Sequence, residues 1–486
     1  MSPGLSHKTS FWARLSDSFY PVVAWLSRRL PNERQRVLAL TIVAGALCGV
    51  AAVLFHITAG SLEAWWIETA AAAPGRSWIW WTILTPALGG AAAGLALVFL
   101  VPAAAGSGIP QVKVAFFRRF GFISFKETAG KFLICAMQLG SGASLGVEGP
   151  TVHICSGVSN MLARAFRLSP ENRRRMTSVG MAAGIAAAFN APIAAVTFTL
   201  EELIGSLDQT MLSGVIVAAA LAAVIEHSSP GFSSAPLFHL KRSYTLGAAS
   251  SLVWYALLGV LAAFVSIAFT DSLLWLRLQF RQLRHVPKWV RPAVGGAATG
   301  GFAVVALYFF HINGIAGDAY KTLTMALLGG LPLVAMAVLC LLKAAATICS
   351  YSSGGSGGLF APTLFMGGML GGSVGYLDVN VFHHPADSIG AFAVVGMGAM
   401  FAGVIRAPMT SVLIIFEMTG GYGLVLPLMI ANMTAFALAR SWRRTPIYDA
   451  LLEQDGIFLP GGAHPLESRA DEDELAHHVL HESAEE

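Results

Sequence analysis

Charge is what this sequence has least of. Only 12% of its 486 residues are Asp, Glu, Lys or Arg, about half of the ~25% usual in soluble domains. Cysteine is scarce as well. Cys48, Cys135, Cys155, Cys340 and Cys349 make an odd number, all lie in apolar stretches, and no two form a C-x-x-C or Cys/His spacing. That pattern excludes a disulfide framework and a zinc site, so the thiols read as small buried hydrophobes. No Gly-rich segment continues as G-K-[ST], which excludes a P-loop and leaves no nucleotide partner or cofactor to expect. Ser and His are scattered without a nucleophile and base pair, so the expectation is not an enzyme. No short apolar run with a small-residue cleavage site stands near residue 20, so no cleaved signal peptide is expected. The net charge of +4 is that of basic loops beside membrane segments and indicates no nucleic acid.

What is present is apolar bulk. Hydrophobic residues make up 55% of the chain and 51 more residues are Gly, against ~45–50% apolar, Gly included, in soluble domains. A soluble globule of this length cannot hide so much apolar surface. The chain is therefore an integral membrane protein, with room for about a dozen crossings at ~20 apolar residues each. Apolar runs lie at about 37–57, 78–101, 132–145, 177–200, 211–225, 246–270, 292–311, 323–349, 362–377, 388–405 and 408–438. Several are too short or too Gly-broken to span alone, the mark of half-helices, whose irregular ends survive at membrane depth only inside protein or beside water. The expected fold class is all-α: a polytopic bundle with discontinuous half-helices.

Residues 1–36 carry Lys8, Arg14, Arg28, Arg29, Arg34 and Arg36, with an apolar face at Phe19, Tyr20, Val22, Val23 and Leu26. They read as an amphipathic cytoplasmic segment lying on the bilayer. Further basic clusters at Arg173 to Arg175, at Arg277, Arg281, Arg284, Lys288 and Arg291, and at Arg440, Arg443 and Arg444 should face the same side, which puts both termini in the cytoplasm. Residues 451–486 form an acidic tail too short for a core of its own, and its His477, His478 and His481 are incidental to a solvated end.

The chain repeats itself. Lys131 precedes Pro150 by 19 residues, as Lys343 precedes Pro362. A shift of 212 also superimposes Ser141 on Ser353, Gly142 on Gly354, Gly146 on Gly358 and Pro150-Thr151 on Pro362-Thr363. Further on, Ala191-Pro192 leads to Glu201 and Ala407-Pro408 leads to Glu417, each nine residues later. Two related halves are expected, at about 37–240 and 246–450 within a membrane domain of 37–450.

Three segments share a Gly-rich entry into a helix: Gly106-Ser107-Gly108-Ile109-Pro110, Gly146-Val147-Glu148-Gly149-Pro150 and Gly357-Gly358-Leu359-Phe360-Ala361-Pro362. Gly admits close backbone approach, and Pro sits where a helix begins because its missing N–H would be unpaired there anyway. Helix starts hold anions through free amides and a dipole of about +0.5 charge, without a full cation that would bind too tightly for turnover. Three of them converging between two repeats would make a chloride-sized site. Glu148 is the ionisable residue in these turns; its carboxylate can fill such a site as a surrogate anion or leave it once protonated. Glu201 and Glu202 end the Ala191-Pro192 helix, where two adjacent carboxylates repel and one can accept a proton from the cytoplasm. Glu417 reads as structural. His153, further along the helix of Glu148, reads as a core residue able to tune it.

These segments, in this order, resemble the CLC family of chloride channels and proton-coupled chloride antiporters. The likeness extends through Ala191-Pro192 with Glu201-Glu202, through Arg406-Ala407-Pro408 to Glu417-Met418-Thr419, and to Pro446-Ile447-Tyr448, covering most of 37–450. It implies an inverted-repeat membrane fold, a homodimer with one anion pathway per subunit, and a location in the plasma membrane, the bacterial inner membrane for an exchanger-like member. It also implies that the hydroxyls of Ser107 and Tyr448 and the amides of Leu359 and Phe360 hold the central chloride, with Gly108, Ile109 and Gly149 as further chloride-binding positions. Glu148 would be the external gate and Glu202 the internal proton acceptor. Ser in GSGIP is similar to the chloride-selective branches rather than those with Pro or Met there, and the short tail has no room for paired nucleotide-sensing domains. Two acids lean the expectation to exchange of chloride for protons. The alternatives are a passive gated chloride channel and an anion-binding membrane sensor without transport.

Overall fold

The computed structural model describes residues 33–205, 209–229, 238, 244, 250–383, 385 and 388–460. The expected amphipathic segment up to residue 32, the junction at 240 and 246, and the acidic tail with its histidines beyond 460 lie outside the described residues. The described chain is helical, and only two isolated backbone bridges, Gly106 with Ser356 and Gly146 with Gly358, interrupt that character. In the first half the helices are α1 (Glu33–Glu63), α2 (Ser77–Phe99), α3 (Ile109–Arg118), α4 (Phe125–Gly140), α5 (Glu148–Ala165), α6 (Pro170–Phe189), α7 (Pro192–Thr199) and α8 (Gln209–His227). In the second they are α9 (Ser251–Gln282), α10 (Arg291–Phe310), α11 (Tyr320–Leu327), α12 (Leu333–Ser352), α13 (Phe360–Phe382), α14 (Ser388–Val404), α15 (Pro408–Thr419), α16 (Val425–Trp442) and α17 (Ile447–Gln454).

Six helical stretches among the described residues are long and apolar enough to cross a membrane, fewer than the dozen that composition allows. The difference lies in broken rods. The run at 177–200 divides into α6 and α7 at Asn190, which takes a left-handed φ of 52°. The run at 323–349 divides into α11 and α12 around Gly329, and the run at 408–438 into α15 and α16 at Gly420 and Gly421. An apolar run marks depth in the bilayer; Gly and Asn, which accept left-handed dihedrals, decide where the helix stops inside it.

Small residues let the rods touch. In the α2–α10 pair a Cβ on Gly90 would stand 2.2 Å from Pro292 O, and one on Gly296 would stand 2.0 Å from Pro86 O, so backbones meet at a distance only Gly permits. Leu38, Ile42, Leu47, Val50 and Leu54 on α1, with Val253, Phe264 and Trp275 on α9, remain exposed as the lipid-facing rim of an already filled interior.

The repeat becomes symmetry. Gly146 and Gly358, mates at the shift of 212, exchange both backbone bonds, at 2.8 and 2.7 Å. Two copies related by a two-fold axis pair a residue with its own mate only on that axis. The pattern continues beside it: the Ser144 amide donates to Ser350 Oγ at 3.2 Å, and the Ser356 amide donates to Gln138 Oε1 at 2.8 Å, which are again mate pairs. Lys131 donates to the carbonyls of Ala104 and Gly106, at 3.0 and 2.5 Å, and Lys343 to those of Ile315 and Gly317, at 3.0 and 2.7 Å. Residues of two basic clusters are paired with acids, Arg277 and Arg281 with Asp455 and Arg443 with Asp271, and Arg118 donates to Phe458 O.

Candidate functional site

The three Gly-rich turns converge. Beyond the Gly146–Gly358 pair, the Gly106 amide donates to Gly355 O and the Gly357 amide to Gly106 O, both at 3.1 Å. The starts of α3, α5 and α13 are thereby laced together by backbone alone. Gly108 has a φ of 105°, a dihedral side-chain-bearing residues rarely adopt. The Pro of each turn sits within the first three helical residues, as the sequence predicts. In α13 the first intrahelical bond comes from the Thr363 amide to Leu359 O at 3.1 Å. Pro362 has no N–H, so the amides of Phe360 and Ala361 have no acceptor within the helix.

Glu148 fills the space these turns enclose. It is fully buried, and its Oε2 lies beside the amide of Ala361 and its own amide, without closing a hydrogen bond of good geometry to any group. Its Oε1 accepts the hydroxyl of Tyr320, the first residue of α11. Lys343, from α12, and Asp318, in the loop before α11, share its electrostatic surroundings. A buried carboxylate thus stands at a helix start, among the three turns.

The hydroxyls of Ser107 and Tyr448 come together beside the turns. Both are fully buried, and neither hydroxyl has a partner at hydrogen-bonding distance and angle. Two unpartnered buried hydroxyls cost free energy unless something polar fills the gap between them. Tyr448 is the second residue of α17, an eight-residue helix that begins after Pro446. The Phe360 ring borders Tyr448 at 6.3 Å and stacks on Phe401 at 5.1 Å, with Phe198 edge-on at 5.3 Å. That aromatic packing buries the Phe360 side chain at the start of α13.

Other predicted positions divide. At Gly149 the turns press together, since a Cβ there would stand 2.5 Å from Ser107 O. Ile109 is fully buried at the α3 start, and Leu359 precedes α13. The Gly108 amide donates to Gln111 Oε1 at 2.9 Å, a capping bond within its own helix start. His153 is buried in the core with its Cβ against Gly108, and neither ring nitrogen closes a hydrogen bond of good geometry.

The two inner acids have separate partners. Glu201 accepts the amides of Met409 and Thr410, at 3.0 and 2.9 Å, and so caps α15. Its mate Glu417 accepts the amides of Ile193 and Ala194, at 3.0 and 2.7 Å, and caps α7. This exchange of caps follows the two-fold relation and gives both residues a structural bond set. Glu202 instead binds Lys113 at 2.8 Å, and Lys113 also binds Asp449 at 2.5 Å. Sequence reasoning missed Tyr320, Lys113 and Asp449. The rarity of charge in the chain was the available signal for the last two, since a Lys near the middle of an apolar protein needs an acid partner.

Comparison with known proteins agrees with this geometry. A family model described as voltage gated chloride channel matches residues 89–440. A slow cyanobacterial Cl−/H+ antiporter of known structure superposes with a TM-score of 0.79 at 25% identity, covering 86% of this chain and 98% of its own. A eukaryotic CLC transporter superposes at 0.70 and 21% identity, over 87% of this chain and 74% of its own. A CLC-type fluoride/proton antiporter superposes at 0.70 and 20% identity, over 86% of this chain and 97% of its own. The family match spans most of the chain and the fold is that of the CLC transporters, an all-α inverted-repeat membrane bundle; the chain belongs to the voltage-gated chloride channel family.

Proposed function

We propose that this protein carries chloride across the membrane in exchange for protons. The supporting observation is a carboxylate, Glu148, seated at convergent helix starts with two unpartnered hydroxyls, Ser107 and Tyr448, nearby. In this reading chloride rests between those hydroxyls and the amides of Leu359 and Phe360. Glu148 competes with chloride as a tethered anion, and when protonated it loses its attraction for the helix starts and swings out. Glu202 passes protons to the cytoplasm. Chloride and protons are the transported ions, no cofactor is required, and the working unit is a homodimer in a bacterial inner membrane with both termini cytoplasmic.

Lys113 favours a second reading. An acid paired with a Lys must give up that ion pair to take a proton, which is costly where both partners are sheltered from water, and their side chains are only 8% and 7% exposed. A chain held in that state would conduct chloride passively or with weak coupling. Purified protein in liposomes separates the two. Under exchange, an imposed pH gradient drives chloride uphill and an imposed chloride gradient drives protons uphill. Chloride movement that only dissipates its own gradient, with no proton movement, overturns exchange and supports conduction. No chloride movement at all overturns both and leaves an anion sensor.

A further inference from the structure

The gate carboxylate has one side-chain partner outside the three turns. Tyr320 donates its hydroxyl to Glu148 Oε1, and the chain before it is built to hold that position. Ala319 takes a left-handed φ of 62°, and Asp318 Oδ1 accepts the Tyr320 amide at 3.1 Å. Lys343 ties down Ile315 O and Gly317 O just upstream. Phe238 packs edge-on against the Tyr320 ring at 5.7 Å. A left-handed non-Gly residue is strained and persists only where surrounding contacts hold it. Here those contacts converge on one outcome, a hydroxyl placed at the gate.

We propose that Tyr320 is a positioning residue that latches the Glu148 carboxylate into the anion site, so that an ion can enter only when this hydrogen bond breaks. The proposal rests on Glu148 being the gate. The bond is charge-assisted, and it is the one side-chain restraint on the carboxylate among the described residues. The groups facing Glu148 are Tyr320 and Asp318 from the α11 start, Lys343 from α12 and Tyr448 from α17. Of these, Tyr320 alone makes a hydrogen bond to it.

Chloride and proton fluxes from liposomes carrying wild type, Tyr320→Phe, Glu148→Ala and the double variant test the latch. Tyr320→Phe keeps the ring and its contact with Phe238 and removes only the donor. A charge-assisted bond corresponds to a change of roughly tenfold or more. Tyr320→Phe should therefore raise chloride flux by about that factor and lower the number of protons moved per chloride. In the Glu148→Ala background the same substitution should change neither quantity, because nothing is left to latch. The latch is overturned if Tyr320→Phe leaves flux and ratio as in wild type, lowers the flux, or has equal effects in both backgrounds. Should Glu148→Ala itself change neither flux nor ratio, the gate assignment fails instead. Chloride titration calorimetry on detergent-solubilised Tyr320→Phe gives a second measure independent of reconstitution: chloride should bind tighter than in wild type, and unchanged or weaker binding counts against the latch.

Discussion

Replacing Gly149 by Ala sets two effects of opposite sign against each other. Gly to Ala within a helix stabilises by about 0.5–1 kcal/mol, because Ala loses less conformational freedom on folding. The new Cβ, however, would stand 2.5 Å from Ser107 O, 2.7 Å from Ser107 Oγ and 3.2 Å from Gly358 Cα. Two of the three obstacles are backbone in turns laced to each other, so the GSGIP turn has to retreat by roughly 1 Å to reach ordinary van der Waals contact. Overpacking of this kind costs ~1–3 kcal/mol. Sterics therefore exceed or cancel the propensity gain, and the net loss of stability is small. The effect on ion binding is larger. A retreat of that size takes the Ser107 hydroxyl out of hydrogen-bonding range of a shared anion, and a bond to a charged ligand is worth ~1.5–3 kcal/mol, so chloride affinity should fall roughly 10- to 100-fold. Titration calorimetry with chloride, alongside thermal unfolding in detergent, measures both quantities. Gly301→Ala is the control: it lies within α10 with nothing inside 4 Å of the added Cβ, and it should leave chloride affinity intact without lowering the melting temperature. Gly149→Ala binding chloride within threefold of wild type would refute the reasoning, since the crowding at the site would then have no consequence for the ion.

The remaining expectations follow from the same geometry. Glu148→Ala removes the surrogate anion, so proton movement should stop while chloride flux persists or rises; pH-driven chloride uptake in that variant would remove Glu148 from the gate. Glu202→Gln should stop protons with chloride still moving. Lys113→Met strips the partner from the same carboxylate and should change the ratio of protons to chloride, whereas an unchanged ratio, measured as ion-gradient reversal potentials in liposomes, would show that the Lys113–Glu202 pair has no part in coupling. Glu417→Ala leaves the Ile193 and Ala194 amides uncapped, a loss of ~0.5–2 kcal/mol per cap. A lowered melting temperature is expected, matched by Glu201→Ala at the mate position, and unaltered melting in both would dispose of the exchanged caps.

Much of the site was legible because its chemistry is local. A Gly-x-Gly or Gly-x-x-Gly entry followed by Pro announces a helix start, and the helix start announces an anion position, whatever the rest of the chain does. Glu148 was visible on that account. Glu201 and Glu202 were visible as a pair, but their adjacency could not say which of them caps α15 and which meets Lys113. Tyr320 was not legible at all. It lies 172 positions from Glu148, in a segment with no Gly-x-Pro signature, and only folding brings the two together.

The amino-acid sequence alone determined the membrane setting, the existence of two related halves and the residues that open each half-helix. Hydrophobic burial, helix breaking and capping act over a few residues, and their marks survive in one dimension. Tertiary structure alone decided the partnerships: the two-fold pairing of Gly146 with Gly358, the exchange of caps between Glu201 and Glu417, the clamp of Lys113 on Glu202 and the hydroxyl of Tyr320 on Glu148. Each joins segments far apart in the chain, where the hydrogen bonds and charges of a low-dielectric interior are strong only at contact. Which groups reach contact depends on how the broken helices pack, and no local pattern records that.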